Sequence, residues 1–192
     1  MSGTRPGAQS ASGATPIVVR PAIGDDLEGV VNVGRTTWQT TYTSILPPEL
    51  LELFLAKWWT KDANIPAIRG RRTFVADRGG RIVGMASYGT HEGRLIVWKI
   101  YVLDEAQGQG VGGRLLEAVY ERASEGHDSV YLSFTDGNAA AYDFARSHGY
   151  VEDHREAQSG LPDLIWMRHD FADPGPAEGR ASGTGEESVG SA

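Results

Sequence analysis

Cysteine is absent from all 192 residues. That excludes a disulfide framework, a thiolate zinc site and a cysteine nucleophile, and no metal is expected. Long apolar runs are absent too. The longest, such as Leu95 to Trp98, last a few residues, whereas a membrane-spanning helix needs ~20. The opening MSGTRPGAQSASGAT has no apolar stretch of the kind a secretory signal carries. A soluble, cytoplasmic protein with no membrane partner is therefore expected. Positive charge is also scarce. Against 25 Asp and Glu there are 18 Lys and Arg, giving a net charge of −7. General nucleic-acid binding needs a basic face that displaces phosphate counterions, so no nucleic-acid partner is expected.

What is present is enough apolar material, 40% of residues, for a real core. Residues 1–15 and 173–192 contain no aromatic side chain and are rich in Gly, Ser and Ala. Neither stretch offers enough apolar surface to offset chain entropy, so both read as disordered tails around one domain at 16–172.

Inside that domain, short apolar runs alternate with amphipathic stretches. Ile17 to Arg20 is β-rich and stops at Pro21, a first strand. Asp25 or Asp26 then caps a helix bearing Leu27, Val30, Val31 and Val33. Pro47-Pro48 opens a second helix with Leu50, Leu51, Phe54 and Leu55 at helical spacing. Thr73–Ala76, the Gly79-Gly80 turn and Ile82–Ala86 form a hairpin signal. Arg94 to Val102 is a longer strand. Val111, Leu115, Leu116, Val119 and Ala123 mark a helix, Val130–Phe134 a strand, and Asn138–Ser147 a short helix stopped by Gly149. Tyr150–His154 and Leu164–Met167 are the last strands. The order predicts an α/β (mixed α+β) fold with antiparallel hairpins in its first half and one or two crossovers in its second.

The most informative segment is Gln107-Gly108-Gln109-Gly110-Val111-Gly112-Gly113, lying between a strand and a helix. Glycines turn the backbone sharply there, and the free N–H groups of the helix start favour an anion, as in a phosphate or pyrophosphate cradle. Gly108, Gly110 and Gly113 also satisfy the dinucleotide fingerprint, with Asp136 placed for a ribose. That fingerprint belongs to the first strand and helix of a long parallel sheet. Here it lies past the chain midpoint, with antiparallel strands after it.

The same residues resemble the GNAT superfamily of acyl-CoA-dependent N-acyltransferases. Gln107-x-x-Gly110-x-Gly112 is similar to the family's pyrophosphate motif. Ile100-Tyr101-Val102 resembles its splayed fourth strand, and Arg20-Pro21-Ala22 with Asp25-Asp26 its first strand and helix start. Asn138-Ala139-Ala140-Ala141 with Gly149-Tyr150 resembles its last helix. The resemblance covers about residues 17–171. It implies a mostly antiparallel mixed sheet with one splayed parallel strand pair, flanked by about four helices, and it implies acetyl-CoA as cosubstrate. The residues implied to hold CoA are Ile100, Tyr101, Val102, Gln107, Gly108, Gln109, Gly110, Val111, Gly112, Gly113 and Asn138. The oxyanion donor implied is a fourth-strand amide near Val102.

The side chains that usually move protons in this family are not matched. Ser133 and Ile96 stand where some members carry Glu, and Ala145 where a Tyr is usual. Tyr142, three residues before Ala145 and four after Asn138, is the expected acid for the departing thiolate. His91, Glu92, Asp136 and His148 are the other titratable candidates. Trp38 and Tyr42 share one helix face and, with Ile45-Leu46-Pro47, resemble the acceptor wall of members acting on small amines. The expectation is an N-acetyltransferase acting on a primary amine of a small molecule, as a monomer or homodimer. The alternative is a catalytically silent acyl-CoA-binding or regulatory module of the same fold.

Overall fold

The computed structural model describes residues 15–171. The two terminal segments expected to be tails, apart from Thr15, lie outside the described residues, and so does position 172 at the end of the expected domain. Seven strands form one sheet in the order β1-β2-β3-β4-β5-β7-β6. They are β1 (Ile17–Pro21), β2 (Thr73–Arg78), β3 (Arg81–His91), β4 (Arg94–Val102), β5 (Ser129–Thr135), β6 (Val151–Gln158) and β7 (Leu161–Asp170). The first four pair antiparallel, β5 pairs parallel with β4, and β7 lies antiparallel between β5 and β6.

Two irregularities shape the sheet's centre. Ser87 faces Lys99 while Tyr88 faces Val97, so Trp98 is an extra residue, a bulge that bends β4. The β4–β5 pairing covers only Leu95↔Val130, Ile96↔Tyr131 and Val97↔Leu132, and it stops at that same bulge. Beyond it both strands continue without pairing to each other, which is the splay the sequence resemblance implied.

Five α-helices cover the sheet: α1 (Leu27–Tyr42), α2 (Pro48–Trp58), α3 (Lys61–Arg69), α4 (Val111–Ala123) and α5 (Ala139–Ser147). The resemblance implied about four, and α3 is the helix the sequence reading did not assign. In the structure Pro66 lies inside α3. That helix is held by other means: the Thr60 hydroxyl accepts from the Ala63 amide, and Asn64 Nδ2 donates to the Trp58 and Thr60 carbonyls.

Helices α1 to α3 lie on one face of the sheet, where Tyr101 meets Trp59 and Lys99 meets Asn64. Helix α4 packs on the other face, with Val111 and Leu115 against Gly84. Leu115, Leu116 and Val119 are buried at the one-per-turn spacing the sequence showed. Burying each such side chain contributes about 1.5–3 kcal/mol. Gly34 lets α1 sit against the end of α2: a Cβ there would fall 1.9 Å from the Trp59 ring. The start of α1 is tied to β1 and β2 by Arg20, which pairs with Asp26 at 2.7 Å and Asp77 at 2.9 Å. That pairing is the physical content of the Arg20-Pro21-Ala22…Asp26 motif, and it holds the Asp26 carboxyl below the usual carboxylate range.

Candidate active site

A cleft of about 460 Å³ opens where β4 and β5 part. Its walls come from both faces of the sheet. Thr37, Thr41 and Tyr42 of α1 line one side, and the glycine loop, the first turn of α4 and one stripe of α5 line the other. Between them run Trp98, Ile100, Tyr101 and Val102 of β4 and Leu132, Ser133 and Phe134 of β5. The passage exists because the strand pair stops at Val97 and Leu132. Past that point the facing edges have no strand partner and need a ligand or water.

The glycine loop divides its labour. Gly108 and Gly110 have φ of +71° and +69°, and Gly110 is the left-handed N-cap of α4. A Cβ at either would meet only open space, so backbone conformation, not crowding, requires glycine. Gly112 and Gly113 serve close packing: a Cβ at Gly112 would lie 2.6 Å from the Phe144 ring, and one at Gly113 3.0 Å from His148 Nε2. The Gln107 side chain donates to the Val102 carbonyl and to Asp104 Oδ1, both at 3.0 Å, tying the loop to the end of β4. What remains is the amide-lined start of a 13-residue helix facing the cleft, suited to an anion. These residues fit the pyrophosphate of a CoA thioester.

At the other end, Asn138 caps α5, its Oδ1 accepting from the Ala141 amide at 3.1 Å. Its Nδ2 points to the Tyr42 hydroxyl at 3.5 Å. Burial raises the Tyr42 phenol above its ordinary pKa, against the opposing pull of its contacts with Asn138 and Thr135, so it stays protonated at neutral pH.

The family model described as "Acetyltransferase (GNAT) domain" matches residues 69–152. The L-methionine sulfoximine/L-methionine sulfone acetyltransferase of Pseudomonas paraeruginosa is 35% identical over 156 residues, 78% of this chain and 88% of that protein. The chain belongs to the GNAT acetyltransferases. A probable N-acetyltransferase of Mycobacterium tuberculosis is 30% identical over 120 residues, 59% of this chain and 67% of its own length. The paia N-acetyltransferase of Thermoplasma acidophilum, solved in complex with coenzyme A, has the same fold. It superposes with a TM-score of 0.71 at 20% identity over 81% of this chain and 99% of its own. The protein is thus an acyltransferase, and acetyl-CoA is its cosubstrate.

Within this GNAT fold the cleft gathers most of the residues expected from sequence. Ile100, Tyr101, Val102, Gln107, Gly108, Gly110, Val111, Gly112, Gly113 and Asn138 all line it, and so does Tyr42. Three expected residues do not. The Gln109 side chain is turned away, donating to the Glu105 carbonyl and accepting from Arg78. Trp38 is buried behind the wall, its ring 4.5 Å from Tyr42 and its Nε1 directed toward the Tyr101 hydroxyl without a well-formed hydrogen bond. Tyr142 packs edge-on against Phe134.

Tyr142 stands off the cleft lining for a geometric reason. Asn138 is a cap with non-helical backbone and an inturned side chain, so counting four residues from it does not mark the cofactor face. The face that lines the cleft is Ala140, Ala141, Phe144 and His148.

The other titratable candidates also find their places. His91 and Glu92 sit exposed at the β3–β4 turn, and Asp136 pairs with Arg155 at 3.2 Å. His148 does line the cleft, its Nδ1 donating to the Phe144 carbonyl, which leaves Nε2 facing Gly113. Thr37, Thr41, Trp98 and Phe144 are lining residues that the sequence did not single out. Only the doubling of Trp98 in the β3–β4 register would have revealed it, and that is not visible before the strands are paired.

Proposed function

We propose that the protein transfers the acetyl group of acetyl-CoA to the primary amine of a small molecule. The observation that carries this reading is the passage through the sheet. An anion cradle lies on one face, a wall of α1 with hydroxyl-bearing side chains lies on the other, and the open β4 edge runs between. The size of the cleft suits a thioester arm and a small acceptor, not a folded partner. The Pseudomonas relative, named for methionine sulfoximine and methionine sulfone, supports an acceptor of that size.

In this reading the amine enters neutral along the α1 wall and attacks the thioester carbonyl. The developing oxyanion meets backbone N–H groups at the unpaired end of β4, near Val102. The C–S bond breaks as the amide forms, the amine loses a proton to water, and the departing thiolate takes one back. Tyr42 presents a phenol from the α1 wall, within reach of Asn138, and is taken as the donor in place of Tyr142. Family membership favours this reading over a silent module. The test is thiol release from acetyl-CoA with a panel of small amines, amino acids, polyamines and peptides. Turnover confined to small amines is expected; turnover confined to peptide N-termini would overturn it.

A further inference from the structure

CoA brings a pyrophosphate and a ribose phosphate to a protein of net charge −7. Among the described residues that line the cleft there is no Lys and no Arg. The arginines beside the glycine loop are committed elsewhere. Arg114 of α4 donates to the Ile17 carbonyl at 2.8 Å, and Arg78 pairs with Glu105 at 3.6 Å and donates to Gln109. Asp104, the acid in that lining, accepts from Gln107 Nε2 at 3.0 Å. The lining side chain that can become a cation is His148.

His148 is the C-cap of α5, one turn past Phe144. Its Nδ1 lies 2.8 Å from the Phe144 carbonyl oxygen, which can only accept, so Nδ1 carries the hydrogen. Ser147 Oγ stands 3.1 Å from the same nitrogen, and the Phe144 ring packs on the imidazole with centroids 4.3 Å apart. In the neutral ring Nε2 is then a bare acceptor. It faces the first turn of α4, 3.0 Å from where a Cβ of Gly113 would stand. Gly112 and Gly113 are the second and third residues of that helix, whose free amides form the cradle. Among the described residues His148 joins no ion pair. Of the charged groups on the elements packed around it, Glu117, one turn after Gly113, is exposed, as are Asp143 and Arg146 on α5 itself. His169 of β7 directs its Nδ1 at the Gly149 carbonyl, 3.3 Å away.

We propose that His148 completes the anion cradle as the side-chain partner of a CoA phosphate, taking a proton onto Nε2 as the cofactor binds. The proton leaves the solvent and stays on Nε2, and no other bond changes. A bare acceptor thereby becomes a charged donor to a phosphate oxygen, a stronger hydrogen bond than the neutral amides of the loop can make. Nδ1 keeps its hydrogen and its bond to the Phe144 carbonyl in both states, so the ring need not turn. A side chain at Gly113 would press on Nε2, so glycine there keeps the working edge of the ring open. The inference concerns the cosubstrate and does not depend on which acceptor is used.

The test counts protons. CoA is titrated calorimetrically at about pH 7.5, where histidine is ordinarily neutral, in buffers of different ionisation enthalpy. The parent is expected to take up a fraction of a proton for each CoA bound. His148→Gln, which keeps a neutral amide donor, is expected to lose that uptake and to bind CoA roughly 10-fold more weakly. Asp104 is present in both proteins, so the difference belongs to position 148. Dephospho-CoA separates the two phosphates: a penalty that persists with it places His148 on the pyrophosphate, and one that disappears places it on the ribose phosphate. Acetylated N-acetylcysteamine, a thioester without phosphate, is expected to serve both proteins equally, whereas a merely structural role would lower its use in the variant. Absence of proton uptake by the parent, or equal uptake by parent and variant, would overturn the inference.

Discussion

Asn138 Nδ2 and the Tyr42 hydroxyl face each other at 3.5 Å across the gap between β4 and β5, although 96 positions separate them in the chain. Asn138 has two polar ends with two tasks. Its oxygen holds the first turn of α5, and its NH₂ reaches the one phenol that α1 presents to the cleft. A hydrogen bond at this length is weak and is easily exchanged for a ligand contact. The pair therefore places a protonated hydroxyl and an amide donor side by side in the cleft.

Tyr42→Phe is expected to lower kcat at least ~10-fold with CoA affinity little changed, the low end for general acid catalysis. Tyr142→Phe, which alters a residue packed on Phe134 and outside the cleft, is expected to leave kcat at the parent value. Steady-state kinetics on both variants check this. The reverse pattern would restore Tyr142 as the acid.

Gly34→Ala is expected to destabilise the fold by ~1–3 kcal/mol, the usual cost of overpacking. The added methyl would fall 1.9 Å from the buried Trp59 ring, although alanine is the better helix former. Thermal unfolding of the variant should therefore begin several degrees lower. An unchanged melting temperature would show that Trp59 can move aside freely.

Burial holds the Lys99 ammonium down to about 8 from an ordinary 10.5. Between those values the unfolded chain binds a proton that the folded chain has released, so this group makes stability rise with pH. Denaturant titrations of the parent and Lys99→Met at several points from about pH 7.5 to 9.5 isolate the effect. Their difference should move in the parent's favour across that range. A difference independent of pH would mean that Lys99 titrates normally.

Much of this was legible before any strand was paired. The glycine loop, the apolar stripe of α4 and the hairpin turn at Gly79-Gly80 are local patterns, set by backbone freedom and by burial on one side. The Arg20 and Asp26 motif was visible as residues, but the triple contact with Asp77 depends on β1 lying beside β2. Helix α3 was not assigned from sequence: it is short, carries Pro66 in its interior, and is held by the Thr60 cap and by Asn64, contacts that appear only once the chain is folded. Tyr142 was expected on the cofactor side by helical counting from Asn138, which lies outside the helix, and the cleft is lined instead by Ala140, Ala141 and Phe144. Trp98 could not be placed in the cleft from sequence at all, since its position depends on a bulge and on the register of two strands.

Calorimetric titration of CoA into the parent and into Gly110→Asp tests the central claim most directly. Gly110 has open space at its Cβ position but a left-handed backbone, so the substitution sets a carboxylate in the anion cradle at the cost of local strain. The account predicts ready CoA binding by the parent and its loss, by at least ~10-fold in affinity, in a variant whose circular dichroism remains that of the folded protein. Unchanged CoA affinity in that folded variant would contradict the assignment of the glycine loop as the cofactor cradle.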